Sequence, residues 1–211
     1  MKSKKIRTYS SDPELIKKRR QEISAKTIKL FIKKGYLKTT TREITKACSM
    51  STGALYHYIG TKEDILSLLS DNAFSVLKEI SKESFDKPEV MSPTEKLRIA
   101  IEKYLQRIDE NQDTLLFWYQ ESKNLNRDAF NKIISVDALS MKIIEEILIE
   151  GCQRGEFDVS NTTLMANNII VLCDNWVYRR WFLRKRISLD EFIKEQTEFI
   201  MRAICVSSKE A

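Results

Sequence analysis

Apolar residues recur at helical spacing along most of the chain, and polar caps punctuate them. Asp12-Pro13 is an N-cap followed by proline at the first helical position. From there to Lys34, Leu15, Ile16, Ile23, Ile28, Leu30, Phe31 and Ile32 follow a helical pattern that Gly35 ends. Thr40 with Glu43 forms a capping box, so a short helix begins at Thr41 or Arg42 and buries Ile44 and Ala47 or Cys48. Ser49-Met50-Ser51 is a sharp turn, and Ser51 caps a second short helix through Thr52, Gly53, Ala54, Leu55, Tyr56, His57 and Tyr58. Thr61 and Asp64 open a long helix to about Ser84, carrying Ile65, Leu66, Leu69, Phe74, Leu77 and Ile80. Ser92-Pro93 starts the next, followed by one around Leu115–Tyr119 and another from about Arg127 to Gln153. The stretch from Gly151 to Val159 reads as a loop. Ser160 or Asn161 caps a helix through Trp181, and the Ser188/Glu191 capping box opens the last, to about Val206.

Composition agrees with about nine helices and no sheet. The 211 residues hold five glycines and three prolines, and little glycine remains for hairpins. The predicted class is all-α, with a head at residues 1–70 and a body at 71–211. Charge divides the same way. Residues 1–70 carry 16 Lys/Arg against 6 Asp/Glu, whereas residues 71–211 carry 20 against 24. A basic head on a mildly acidic body is the footprint of a nucleic-acid-binding module. The four cysteines are scattered without C-x-x-C spacing and read as small buried apolar residues. No apolar run approaches the ~20 residues that span a bilayer, and the N-terminus has no leader pattern, so a reduced, cytoplasmic protein with no membrane association is expected.

Helix, tight turn and helix within residues 40–58 allow one helix to enter a major groove while its partner braces the backbone. The groove-entering helix needs short or polar side chains at its exposed N-terminal end, as Thr52, Gly53 and Ala54 supply. Thr52 is placed to reach a base edge, and the Ala54 methyl to meet a thymine methyl. Leu55 and Tyr58 share an inward face, which directs Tyr56 outward with His57, towards groove or phosphates. The basic arm Lys2, Lys4, Lys5 and Arg7 is compatible with a minor-groove strand or with a plain basic tail.

The register of Ala25, Leu30-Phe31, Gly35-Tyr36, Thr39-Thr40, Ile44, Ser51, Gly53 to Tyr58 and Lys62-Glu63-Asp64 resembles the N-terminal domain of the TetR family of one-component bacterial transcriptional regulators. Two positions depart from that pattern: Ser49 replaces the usual turn glycine, and Ile59 the usual phenylalanine. A serine held in the left-handed region costs about 1 kcal/mol or slightly more, which the turn can absorb. The resemblance implies Tyr56 and Lys62 as phosphate ligands. It also implies that Thr39, Thr40 or Thr41 and Arg42 grip the backbone from the preceding helix, contacts that position the module without reading sequence.

A lone recognition helix reads too few base pairs, so a homodimer on a palindromic double-stranded DNA operator is expected. Leu164, Ile169, Leu172 and Trp176, with Phe192, Phe199, Ile200 and Ala203, are the candidates for its interface, in competition with the monomer core. Residues 93–182 are expected to surround a small hydrophobic effector. Candidate lining residues are Phe117, Trp118 and Tyr119, and the stripe of Cys173, Trp176 and Arg180. An apolar stripe ending in a guanidinium suits a greasy body with an anionic head. The cluster Arg179, Arg180, Arg184, Lys185 and Arg186 loosely resembles that of members sensing acyl-CoA thioesters; an uncharged lipophile, or a solvated basic helix end with no ligand, also accounts for it. No phosphate loop, metal-ligand spacing or nucleophile motif appears, so neither an enzyme nor a cofactor is expected. The alternatives are an architectural DNA-binding protein and, more remotely, a helical enzyme.

Overall fold

The computed structural model describes residues 12–66, 68, 91–125 and 127–206. The basic arm and most of the long helix expected after Thr61 lie outside them. Among the described residues the protein is all-α: α1 (Pro13–Lys34), α2 (Thr41–Ala47), α3 (Thr52–Tyr58), α4 (Pro93–Glu110), α5 (Gln112–Glu121), α6 (Arg127–Gln153), α7 (Thr162–Tyr178), α8 (Arg180–Leu183) and α9 (Leu189–Ile204). The caps act where the sequence places them. The Asp12 carboxylate accepts from the Glu14 N–H at 3.0 Å, and Thr40/Glu43 and Ser92/Glu95 close complete capping boxes. One long helix was expected from Asn161 to Trp181; instead it breaks at Arg179, which links α7 to the single turn of α8.

Packing divides the chain into two units. The first holds residues 1–72 together with 117–132, and the second residues 73–116 and 133–211. The first unit is therefore not a simple N-terminal block. Its core gathers Ile23, Ile28, Phe31, Tyr36, Ile44, Leu55, Ile65 and Leu66 around Phe117, which is fully buried. The Phe117 ring stacks on Phe31 at 5.3 Å and meets Tyr36 edge-on at 6.4 Å. Trp118 packs on the same cluster.

The second unit packs α4 against α7 and α9. Leu97, Ile101 and Leu105 meet Ile147 and Leu148 of α6, Ile169 and Val177 of α7, and Ile200 and Met201 of α9. After α6 the chain turns tightly. Phe157 folds back over Gly151, where a β-carbon would lie 2.0 Å from its ring. Extended backbone then joins Phe157 to Cys205, with the Asp158 N–H donating to the Ile204 carbonyl at 2.7 Å.

Candidate nucleic-acid interface and body polar cluster

The turn between α2 and α3 is built from three residues. Ser49 adopts φ +54°, the one non-glycine residue in the left-handed region among those described. This is the position where the expected glycine is missing, so the strain inferred from the sequence is present in the backbone. Ser51 then caps α3 by accepting the Ala54 N–H at 3.2 Å. α3 turns Leu55 and Tyr58 into the head, while Thr52, Gly53, Tyr56 and His57 are exposed. Ala54 is only 8% exposed, with most of its surface packed against the head.

On α2, Thr40 and Arg42 are exposed and Thr41 half-exposed. Glu43 pairs with Lys34 and accepts from the Thr40 backbone N–H at 2.9 Å, and these bonds hold its carboxyl down to about 2. The capping carboxylate thus stays ionised and paired with Lys34. Thr39 is placed differently from Thr40 and Arg42. It is buried, and its hydroxyl donates to the Gly35 carbonyl at 2.9 Å, tying the end of α1 to the start of α2.

Lys62 is also folded onto the head. Its ammonium donates to the carbonyls of Tyr36 at 2.7 Å and Thr39 at 3.2 Å and lies 4.1 Å from the centre of the Tyr36 ring. Burial lowers its pKa. Tyr36 in turn donates to Glu63 at 2.8 Å, and burial raises its own pKa. Two of the three donors of its ammonium thus secure the loop before α2.

The six residues expected to line one effector site divide between the units. Phe117, Trp118 and Tyr119 belong to the first; Cys173, Trp176 and Arg180 belong to the second. Phe117 is head core and Tyr119 is exposed, because the helical turn that buries one ring points the other away. In the second unit Cys173 and Trp176 are buried in the core, and Arg180 reaches Asp113 and Gln112, both at 3.4 Å.

Polar residues that sequence reasoning passed over hold this region together. Asp174 lies buried on α7, and its carboxylate accepts from Tyr104 at 2.8 Å and from Tyr178 at 3.3 Å. Burial raises its pKa from 3.8 to about 7, against the opposing effect of the two hydroxyls. Asp109 of α4 accepts the Trp176 indole N–H at 2.6 Å and pairs with Arg184, whose guanidinium lies 5.4 Å from the Trp176 ring centre. A signal was available for Asp174. It sits between Cys173 and Trp176 in a run whose other inward positions are apolar, so a carboxylate there had to be buried or paired.

The head is thus a helix-turn-helix module of the DNA-binding class, and the rest of the chain forms a second helical unit. Comparison with known proteins agrees. Residues 23–69 match the tetR family of bacterial regulatory proteins, and residues 90–204 match the tetracyclin repressor-like C-terminal domain. The chain belongs to the TetR family and is a helix-turn-helix transcriptional regulator. It is 28% identical over 191 residues to the HTH-type transcriptional regulator HbdR of Aromatoleum sp. strain CIB, covering 90% of this chain and 82% of that protein. A solved structure of a tetR-family regulatory protein from Rhodococcus RHA1 superposes with a TM-score of 0.77 at 26% identity, covering 90% and 99%. The fold is shared too with the regulator FadR of Bacillus subtilis, solved in complex with stearoyl-CoA: TM-score 0.69, 21% identity, 86% and 97% covered. No described helix is long and apolar enough to cross a membrane.

Proposed function

We propose that this regulator binds a palindromic operator in the cytoplasm as a homodimer and is released from it by a hydrophobic effector, an acyl-CoA thioester or a comparable lipophile. The observation that carries the DNA part is the sidedness of α3. Thr52, Gly53, Tyr56 and His57 are presented to solvent while Ala54, Leu55 and Tyr58 are packed into the head. In this reading Thr52 and Gly53 enter the groove, and Ser51, Tyr56 and His57 meet its walls. Thr40, Thr41 and Arg42 hold the backbone, and Thr39 acts through the loop it ties down. Lys62 gives its remaining donor to a phosphate.

Pairing through α7 and α9 is supported by exposed apolar residues on both: Leu164 and Val171 on one, Phe199 on the other. Of the other interface candidates, Ile169, Trp176, Phe192 and Ile200 are consumed by the unit's own core. The effector reading rests on Arg180, at the end of the helix whose Cys173 and Trp176 are packed in the core, and on the stearoyl-CoA with which the similar FadR was solved. Arg180 has only weak 3.4 Å bonds to Asp113 and Gln112, which an anionic group can replace with shorter ones. Effector binding would favour a dimer whose recognition helices no longer match successive grooves ~34 Å apart.

The test is fluorescence anisotropy of the protein on DNA from upstream of its own gene and on scrambled DNA, with acyl-CoAs and free acids. Salt-dependent binding to the upstream fragment alone, relieved by a panel member, is the expected result. Equal binding to both DNAs would indicate an architectural protein instead.

A further inference from the structure

The exposed stripe of α9 carries charge as well as an aromatic ring. Phe199, 60% exposed, is flanked by exposed Glu195, four residues before it, and exposed Arg202, three residues after it. Seven residues make close to two helical turns, so all three side chains leave the helix on one side. Neither flanking charge forms an ion pair among the described residues, and Glu198 between them is bonded to Arg98 at 2.6 Å. α7 carries a matching stripe. Leu164 and Val171 are exposed at the same seven-residue separation, with Asn167 and Asn168 exposed midway. Both helices turn their buried faces to α4, which leaves the two stripes on the side away from it. The helices run antiparallel. The rings of Trp176, near the end of α7, and Phe192, near the start of α9, are 5.1 Å apart, and the Ile204 carbonyl at the end of α9 accepts from the Asp158 N–H ahead of α7. From that ring contact the middle of the α7 stripe lies eight or nine residues back and the middle of the α9 stripe six or seven residues on. At about 1.5 Å per residue the two midpoints differ in height by only about 3 Å. One two-fold axis can therefore pass beside both.

We infer that these stripes pair with a second copy of the chain in one register, α7 crossing α7 and α9 crossing α9, with the axis beside Phe199 and an ion pair between Glu195 and Arg202 on each side of it. In an antiparallel crossing about a two-fold axis, residues equally far to either side of the axis meet. Glu195 meets Arg202 of the partner subunit, and symmetry repeats the pair. Leu164 meets Val171 of the partner subunit, and Asn167 meets Asn168 of the partner subunit. The signs of the charges select this arrangement. If α9 faced the partner's α7 instead, Glu195 and Arg202 would be covered by leucine, valine and amide groups, leaving two desolvated ions without a counter-charge. The amides at the axis favour the same register, because a polar pair among apolar neighbours penalises every sliding that separates its members. This crossing rests on the homodimer proposed above. It adds which partner is accepted: a related chain with a different charge order would bring like charges together and be rejected.

Sedimentation velocity of the full-length protein from nanomolar to micromolar concentration, beside Glu195→Arg, Arg202→Glu and the double variant, tests the crossing. Each single reversal sets two like-charged pairs against each other and should raise the dimer dissociation constant by at least about a hundredfold. An equimolar mixture of the two single variants should recover dimers at concentrations where neither variant dimerises alone, because each chain supplies the charge that the other lacks. Recovery on mixing excludes misfolding as the cause of the loss. The double variant should pair with itself about as tightly as wild type and exchange no subunits with wild type. Single variants that dimerise as wild type does would overturn the crossing and leave the homodimer standing. So would a mixture that stays monomeric while circular dichroism shows both variants folded, or a double variant that exchanges freely with wild type. Wild-type protein that is monomeric throughout the range would overturn the homodimer itself, and the crossing with it.

Discussion

Asp174→Asn isolates the energetic consequence of placing a carboxyl inside the second unit. Asp174 is buried between Tyr104 and Tyr178, and no cation among the described residues is bonded to it. Its pKa rises from 3.8 to about 7 on folding, chiefly through loss of solvent. The folded state therefore holds a proton that the unfolded state releases. The associated stability is fully present below about pH 4 and is lost as the pH climbs towards 7. Each unit is worth about 1.4 kcal/mol, so the whole window amounts to roughly 4 kcal/mol, and the interval from pH 5 to 7 to about 2–3 kcal/mol. Asparagine is nearly isosteric. Its carbonyl can accept from Tyr104, its amide can donate to the Tyr178 oxygen, and it never ionises. Urea unfolding of both proteins, followed by tryptophan fluorescence at pH 5, 6, 7 and 8, reads the difference directly, because every other titrating group is common to the two. The variant should gain on the wild type by about 2–3 kcal/mol between pH 5 and 7 and then level off. A difference that stays constant across that range would refute the argument, since it would mean that the Asp174 carboxyl titrates alike in both states.

Three other outcomes follow from the packing and the head geometry. Phe117→Ala, which empties the stack on Phe31 and Tyr36, should destabilise the protein by about 3–5 kcal/mol, with hydrogen exchange faster in α1 although the substitution lies far along the chain. Gly151→Ala drives a methyl into the Phe157 ring and should cost about 1–3 kcal/mol; a melting temperature equal to wild type would show that Phe157 can move aside freely. Arg42→Ala, at an exposed position of α2, should weaken binding about equally on operator and non-operator DNA and reduce the slope of log affinity against log salt by about 1. A loss confined to the operator would make Arg42 a base-reading residue instead.

Much of the head was legible in the order of residues, because its signals are short-range. A capping box spans four positions, a helix stop one glycine, and the turn at Ser49 three residues, so each is decided by neighbours along the chain. The left-handed strain at Ser49 was visible for the same reason, as was the division of α3 into an inward Leu55–Tyr58 face and an outward Tyr56. What lay beyond the sequence depends on distant partners. Nothing near Phe117 states that it closes the head's core against Phe31, nor does anything near Thr39 and Lys62 state that they lock the loop before α2. The Asp174–Tyr104 bond joins residues 70 apart, and the pairing of Arg180 and Arg184 with Asp113 and Asp109 is equally remote. Composition and periodicity determined which stretches become helices and which one carries the DNA-reading face. Only the tertiary structure decided which arginines are paired within the fold, as Arg180 and Arg184 are with Asp113 and Asp109, because a charge's availability depends on what is folded against it and not on its neighbours in sequence.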